Sequence, residues 1–409
     1  MLDGSDGGYV LPLVGWVHPA GPSGSVVNVF EGGSFVRSIH FNVDRPDVAE
    51  RFGGPPRVGF SGGLLLAGRP ARLILELRLG PPGDPLSLPF ATIEVEHSPV
   101  RTGGPTRRQP LAITSLGRTG TTLLLGLLSR HPAIAIHQLF PYETRLAGHW
   151  MHTIKVLAES PDLEGPSQPS RVFDDPFRIA TSPFGALPYT SGNASASWLQ
   201  RDFVDNLARF AQQSIDDHYD RLFDATAAAH QRYFAEKCLP NHVPRLFREI
   251  YPAAREVFLL RDFRDVAQSI QALNRRRGFK AFGEEGALSQ RQFLDGLRSA
   301  ARTLVEAVEE RQQSALVLRY EELVLRPDVE LRRVLNYLEL DPDDRLIEQL
   351  VAAATRPSEL QAQHRTSDSS RASIGRWRRD ESAAQRALLQ EAFDDLLPRA
   401  GYAVGSEEQ

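Results

Sequence analysis

The texture of the chain changes once, near residue 105, and this change limits the fold more than any single motif. Up to that point short extended runs alternate with Gly and Pro: Tyr9 to Val17, Ser25 to Phe30, Ser34 to Val43, Gly62 to Leu66, Ala71 to Leu79 and Ala91 to Val95. In Arg72-Leu73-Ile74-Leu75-Glu76-Leu77-Arg78 polar residues fall near every second position, the pattern of a strand with one wet face. The spacing predicts a small β-sandwich. Arg101 to Pro110, with Gly103, Gly104 and Pro105, breaks both periodicities and reads as a linker. We therefore expect an accessory β-sandwich domain over residues 1–105 and a second domain over 106–409.

Beyond the linker, apolar strands are followed by amphipathic helices. Leu111 to Ser115 reads as a strand, Thr121 to Ser129 as a helix and Ala133 to His137 as a strand, with helices through Trp198 to Asp224. Glu256 to Leu260 and Ala315 to Leu318 read as strands, with the helix Arg264 to Asn274 between them. This is the α/β pattern of a three-layer parallel sheet flanked by helices. Residues 159–195 are rich in Pro, Ser and Gly and read as a long loop or lid near a site.

Charge narrows the partners. Lys and Arg total 47 against 51 Asp and Glu, so a net charge of −4 gives no overall attraction to nucleic acid or anionic membranes, and any anion site must be local. Cys238 is the only cysteine, which excludes an intrachain disulfide and a cysteine-built metal site. Met1 to Tyr9 lacks the basic and apolar regions of a secretory signal, and no apolar run approaches a membrane span of about 20 residues; the nearest is Leu123 to Leu128. A cytoplasmic location is expected. Oligomeric state is not legible.

Leu111 to Ser115, the turn Gly117 to Gly120 and the helix opening at Thr121 make a strand, a loop and a helix. Such a loop brings backbone N–H groups and threonine hydroxyls to an anion, and Arg118 supplies charge. A Walker A loop needs four residues between its glycines and a Lys after the second. Here Arg118-Thr119 alone separates Gly117 from Gly120, and Thr121 follows. The run Arg118-Thr119-Gly120-Thr121-Thr122 resembles instead the 5′-phosphosulfate loop of PAPS-dependent sulfotransferases, in which Arg or Lys precedes Ser/Thr-Gly-Thr-Thr.

Further segments carry the same resemblance. Phe258 to Ser269 is similar to the family's 3′-phosphate motif, a buried strand ending in Arg261 with Ser269 eight positions later, although Phe263 stands where the family usually has Pro. Glu236-Lys237-Cys238-Leu239-Pro240 resembles the Glu-Lys-x-Pro segment of carbohydrate and tyrosylprotein sulfotransferases, with one extra residue before Pro240. Leu316 to Leu323 resembles a family strand and turn after which Tyr320 could flank the adenine, though Tyr320 equally suits a core. His364 to Arg379 is similar to the carboxyl-terminal loop that folds over the nucleotide. It offers Arg371, Ser373, Gly375 and Arg376, with the choice of arginine open. Asp44 to Ala49 followed by Gly59-Phe60 resembles β-rich modules that accompany bacterial glycosyltransferases.

The resemblance implies sulfuryl transfer from PAPS to a hydroxyl or amine, with release of PAP and no metal required. It implies Arg118 and Lys237 as the cations that stabilise the transferring group, and a base in Pro141-Tyr142-Glu143-Thr144-Arg145, similar to the Glu-Thr-Arg element of tyrosylprotein sulfotransferases. Glu143 is the chosen base, with His137 and His242 as alternatives. The expected partner is a small-molecule or saccharide acceptor, not nucleic acid. Two other readings predict different behaviour: a P-loop kinase-like phosphotransferase would need Mg²⁺, and a non-catalytic nucleotide- or glycan-binding protein would bind PAP without turnover.

Overall fold

The structure, a computed structural model, describes residues 8–18, 24–100, 106–159, 198–223, 229–354, 366–367 and 369–404. The expected loop or lid lies outside these beyond Glu159, as do residues 101–105 of the expected linker and the start of the carboxyl-terminal segment at His364. Residues 1–105, 149–214 and 245–250 form one compact unit, and residues 106–148, 215–244 and 251–409 another.

The first unit holds two antiparallel sheets. Strands β1 (Val10–Trp16), β5 (Gly59–Leu65) and β4 (Phe41–Val43) make one; β3 (Ser34–Ile39), β2 (Val26–Glu31), β6 (Arg72–Gly80) and β7 (Leu88–Glu96) make the other. Leu13, Phe60 and Leu64 from the first join Val27, Val29, Leu75 and Leu77 from the second in one apolar core. The alternation expected in β6 is present: Leu73, Leu75 and Leu77 are buried, while Arg72 and Ile74 face water. The run Ser34 to Val43 is two strands, because the chain leaves one sheet at Ile39 and enters the other at Phe41. After Arg45, a short helix α1 (Pro46–Phe52) begins on a proline whose ring presets φ for the first turn.

The second unit is built on a five-stranded parallel sheet in the order β12-β11-β8-β10-β9, from β8 (Gln109–Thr114), β9 (Ile134–Ala135), β10 (Tyr233–Cys238), β11 (Arg255–Leu260) and β12 (Leu316–Arg319). Alternation along β11 feeds two cores. Val257 and Leu259 pack with Leu124 and Leu128 of α2 (Thr121–Leu128) and with Val334 of a later helix (Pro327–Tyr337). Phe258 and Leu260 pack on the opposite face with Val266 and Ile270 of helix Phe263–Arg277 and Leu304 of helix Gln290–Arg311. The sheet is thus the middle of three layers, as expected.

All four pairings in this sheet are parallel, with Thr114 of β8 level with Cys238 on one side and Phe258 on the other, and Leu260 level with Arg319. The carboxyl ends of the central strands therefore open on one side, where such sheets bind ligands. Arg261, Lys237, Tyr320 and the loop after β8 all emerge there. Among the described residues no helix is long and apolar enough to cross a membrane.

Candidate active site

The loop after β8 is held in a conformation its side chains do not favour. Gly120 has φ 96° and caps α2, with the Leu123 and Leu124 N–H groups bonding to its carbonyl at 3.0 and 3.2 Å. A Cβ at Gly120 would lie 2.3 Å from the Tyr320 ring, so glycine is required both for the backbone angle and for space. Arg118 has φ 67°, a left-handed value that costs a bulky residue on the order of 1–3 kcal/mol and marks functional sites. Its surroundings impose it. Thr119 is buried, its hydroxyl donating to the Leu116 carbonyl (3.0 Å); Arg261 Nη1 donates to the Arg118 carbonyl (3.0 Å); Arg118 Nε donates to Ser269 Oγ (3.2 Å). Thr121 and Thr122 line the cavity beyond, at the start of α2, where helix geometry leaves N–H groups without intrahelical partners.

Arg261 directly follows β11 and ties three segments together. Its Nη2 donates to the Ser373 carbonyl (2.7 Å), and its guanidinium lies 4.6 Å from the centre of the Tyr320 ring, whose hydroxyl is 2.9 Å from Ser373 Oγ. Its Nε is buried with no hydrogen-bond partner among the described residues. Asp262 caps the following helix, accepting from the Arg264 N–H at 2.9 Å. Phe263, at the position where proline was usual in the motif, is fully buried against Phe393, so this residue serves the core.

Asp265, in the first turn of that helix, fastens the carboxyl-terminal segment: its carboxylate accepts the N–H groups of Gly375 (2.7 Å) and Trp377 (3.0 Å), while Arg264 stacks on the Trp377 ring at 3.8 Å. Burial pushes the Asp265 carboxyl up to about 6, against the neighbouring Arg261 cation and both N–H bonds. Ser370 and Ser373 of this segment line the cavity. Arg371 is exposed, Gly375 is engaged by Asp265, and Arg376 is turned to Asp380 (3.0 Å) and the Thr366 carbonyl (2.9 Å); none of these three, nor Thr119, is on the cavity wall.

On the other side of β8, β10 carries Glu236 and Lys237 to opposite faces. Glu236 is fully buried and accepts from the Thr144 hydroxyl (3.0 Å), the Ala147 and Gly148 N–H groups (3.0 and 3.2 Å) and the Tyr219 hydroxyl (3.0 Å). It thereby fixes the start of helix α3 (Leu146–Ala158) and the residues just before it. Burial raises the Glu236 pKa in spite of these bonds, and burial together with the adjacent Glu236 carboxylate raises that of Tyr219. Glu143 is thus brought to Lys237, Oε1 to Nζ 3.7 Å, and Arg145 binds Glu143 Oε2 through Nη2 (2.8 Å) and Nε (3.1 Å). Burial holds Lys237 below the usual lysine range, with Glu143 opposing and the charges of Arg145 and Arg118 adding. Arg118 is likewise held down to about 10, by burial first and then by Arg261 and Arg277.

These groups surround one cavity of about 430 Å³, a volume within the range of small-molecule sites. Among the described residues Arg118, Arg130, Arg145, Lys237, Arg261 and Arg277 line it, against the single acid Glu143. Ser269 and Tyr320 are also on the wall; His137 and His242 are not. Arg130, Arg277 and Phe282 were not legible as site residues because each stands at or beyond the end of a helix with no local signal. Gly117 marks Phe282 only in three dimensions, where an added Cβ would stand 2.8 Å from that ring. Among the described residues no group of three or more His, Cys, Asp or Glu is placed to share a metal ion.

No curated protein matches the chain. Among solved structures, a sulfotransferase domain from the curacin biosynthetic pathway is 14% identical, with a TM-score of 0.41, over 73% of this chain and 99% of that one. A sulfotransferase from Alicyclobacillus acidocaldarius is 17% identical, with a TM-score of 0.39, over 72% and 94%. A mouse sulfotransferase complexed with PAP is 11% identical, with a TM-score of 0.39, over 71% and 84%. The model of the sulfotransferase family matches residues 110–344, more than half of the chain and the run from Pro110 in β8 through β12. The chain belongs to the sulfotransferase family, and its chemistry is sulfuryl transfer.

Proposed function

We propose that this protein moves a sulfuryl group from PAPS to a hydroxyl, or an amine, of a small-molecule or saccharide acceptor and releases PAP. The carrying observation is the charge of the cavity, six cationic side chains to one acid among the described residues, gathered at the carboxyl ends of parallel strands. That surplus suits a ligand bearing a phosphosulfate and a second phosphate. The chain's own residues fit such a donor: the buried Arg261 Nε is left for an acceptor oxygen, and the glycine at 120 keeps Tyr320 against the loop.

In this reading Arg118, Gly120, Thr121, Thr122 and the first-turn N–H groups of α2 bind the 5′ end, while Arg261, Ser269 and Ser373 bind the 3′-phosphate beside the Tyr320 ring. Thr119, Gly375 and Arg376 act from behind by shaping those segments, and Arg371 lies at the exposed edge. Transfer forms a bond between the acceptor oxygen and sulfur and breaks the bond from sulfur to the phosphate oxygen. Glu143 takes the acceptor's proton, and Lys237 and Arg118 stabilise the charge that gathers on the leaving oxygen. Glu143 sits where Lys237 sits, which His137 and His242 do not. Residues 1–105 are proposed as an accessory domain to a transferase domain over 106–409, acting in the cytoplasm.

Turnover of PAPS with an acceptor panel tests the reading. Lys237→Met is expected to lower kcat about 100- to 1,000-fold, as removal of one charge-stabilising donor does. Glu143→Gln is expected to lower it by a similar factor of about 100 or more. PAP release unaffected by either change would refute the assigned roles.

A further inference from the structure

Part of the cavity's charge is left over by the proposed donor, and the inference below rests on that reading. Arg118, Lys237 and Arg261 face the donor, and Arg277 lies close enough to Arg118 to depress its pKa. Arg145 is engaged by Glu143 beside Lys237, and Arg130 belongs to another stretch of wall. Leu123, Gly126 and Arg130 follow one another at helical spacing along α2 and just past its end, so this wall leads away from the loop for about 10 Å. Tyr142 closes over Gly126, where an added Cβ would stand 3.1 Å from the ring, and Phe140 packs edge-on against Tyr142 with centroids 6.2 Å apart.

This side of the cavity is thus lined by Leu123, Phe140 and Tyr142, with Arg130 beyond them. Arg130 is exposed and has no ion-pair or hydrogen-bond partner among the described residues. The Arg145 side chain is 64% exposed even while it binds Glu143. Glu143 is met by both Arg145 and Lys237, so it does not make this end acidic. Tyr142 and Arg145 hold φ of 68° and 54°, left-handed values for side chains that do not favour them. Such outliers persist where the surroundings dictate them, and here both residues line the cavity.

We propose that the acceptor carries an acidic group, a carboxylate, sulfate or phosphate, one to two helical turns (roughly 5–11 Å) from the hydroxyl that reacts, and that Arg130 binds that group. Guanidinium suits this role because its planar fork matches such anions through paired N–H bonds.

Calorimetric titration of the full chain, with and without saturating PAP, tests this with two matched pairs. One is 3-(4-hydroxyphenyl)propionate against its methyl ester, the other methyl glucuronide against methyl glucoside. In at least one pair the acid is expected to bind about fivefold more tightly than its neutral partner. Arg130→Gln is expected to abolish the preference, and Arg130→Lys to retain most of it. The pair that responds identifies an aromatic or a saccharide body. Equal binding within both pairs, binding of none of the four, or a preference untouched by Arg130→Gln overturns the proposal. Because turnover is not the readout, an acid preference that persists in a protein unable to bind PAP would remove the donor reading alone and leave this one standing.

Discussion

Asp265 touches nothing in the cavity, yet it holds the segment from which Ser373 and Ser370 reach it. Its carboxyl is pushed by burial from an ordinary 3.8 up to about 6. A carboxyl whose folded pKa exceeds its unfolded one keeps an extra proton when folded. Its contribution to stability is complete below about pH 4 and is lost as pH rises through about 6. Comparing urea unfolding of the natural protein with Asp265→Asn removes the effect of the other carboxylates. The natural protein's unfolding free energy relative to the variant is expected to fall by about 2 kcal/mol between pH 4.5 and 7 and to level off above that. A difference that stays constant with pH would contradict the assignment. Lys237 shows the same competition from the other side: burial disfavours its charge, and the adjacent Glu143 opposes that shift.

At the scale of elements, β10 joins two tasks in consecutive residues, since a strand sends neighbouring side chains to opposite faces. Glu236 faces inward to hold the start of α3 and Lys237 faces the cavity. Glu236→Gln replaces an oxygen that accepts backbone N–H groups with an amide that cannot accept from all of them. Each donor left unpaired costs about 1–3 kcal/mol. The variant is expected to be less stable by about that amount and to lose kcat more than affinity for PAP, because the loop carrying Glu143 and Arg145 is released. Unchanged stability and kcat would show that the start of α3 holds itself. The strands and the anion loop were legible because each is a run of consecutive residues with its own period or spacing. Tyr233-Phe234-Ala235-Glu236 also shows a Glu within an apolar strand, a signal for the clamp, whereas Arg130, Arg277 and Phe282 gain meaning only from what the fold brings beside them. The run Ser34 to Val43 shows the reverse case: one uninterrupted extended stretch serves two sheets, and only tertiary pairing decides where it divides.

For the whole molecule, the first compact unit is discontinuous, drawing residues 149–214 and 245–250 to the amino-terminal sheets. Within it the carboxylate of Glu249 accepts the N–H groups of Gly68 (2.6 Å) and Val100 (3.0 Å), and the Tyr9 N–H bonds to the Gln200 carbonyl (2.7 Å). A fragment spanning residues 106–409 would keep Glu249 and Gln200 and lose all three donors. It is expected to be poorly soluble or to unfold at lower urea than the full chain, and a fragment as stable as the whole would show that residues 149–214 and 245–250 do not depend on the sheets. The central claim, that the cavity is built for a nucleotide with a 3′-phosphate, is tested most directly by titrating the full chain in parallel with PAP and ADP, with and without Mg²⁺, and repeating both with Arg261→Ala. Binding of PAP without metal, preferred over ADP and weakened about tenfold or more in Arg261→Ala, is the expected result. Preference for ADP, or PAP binding indifferent to Arg261, would contradict it.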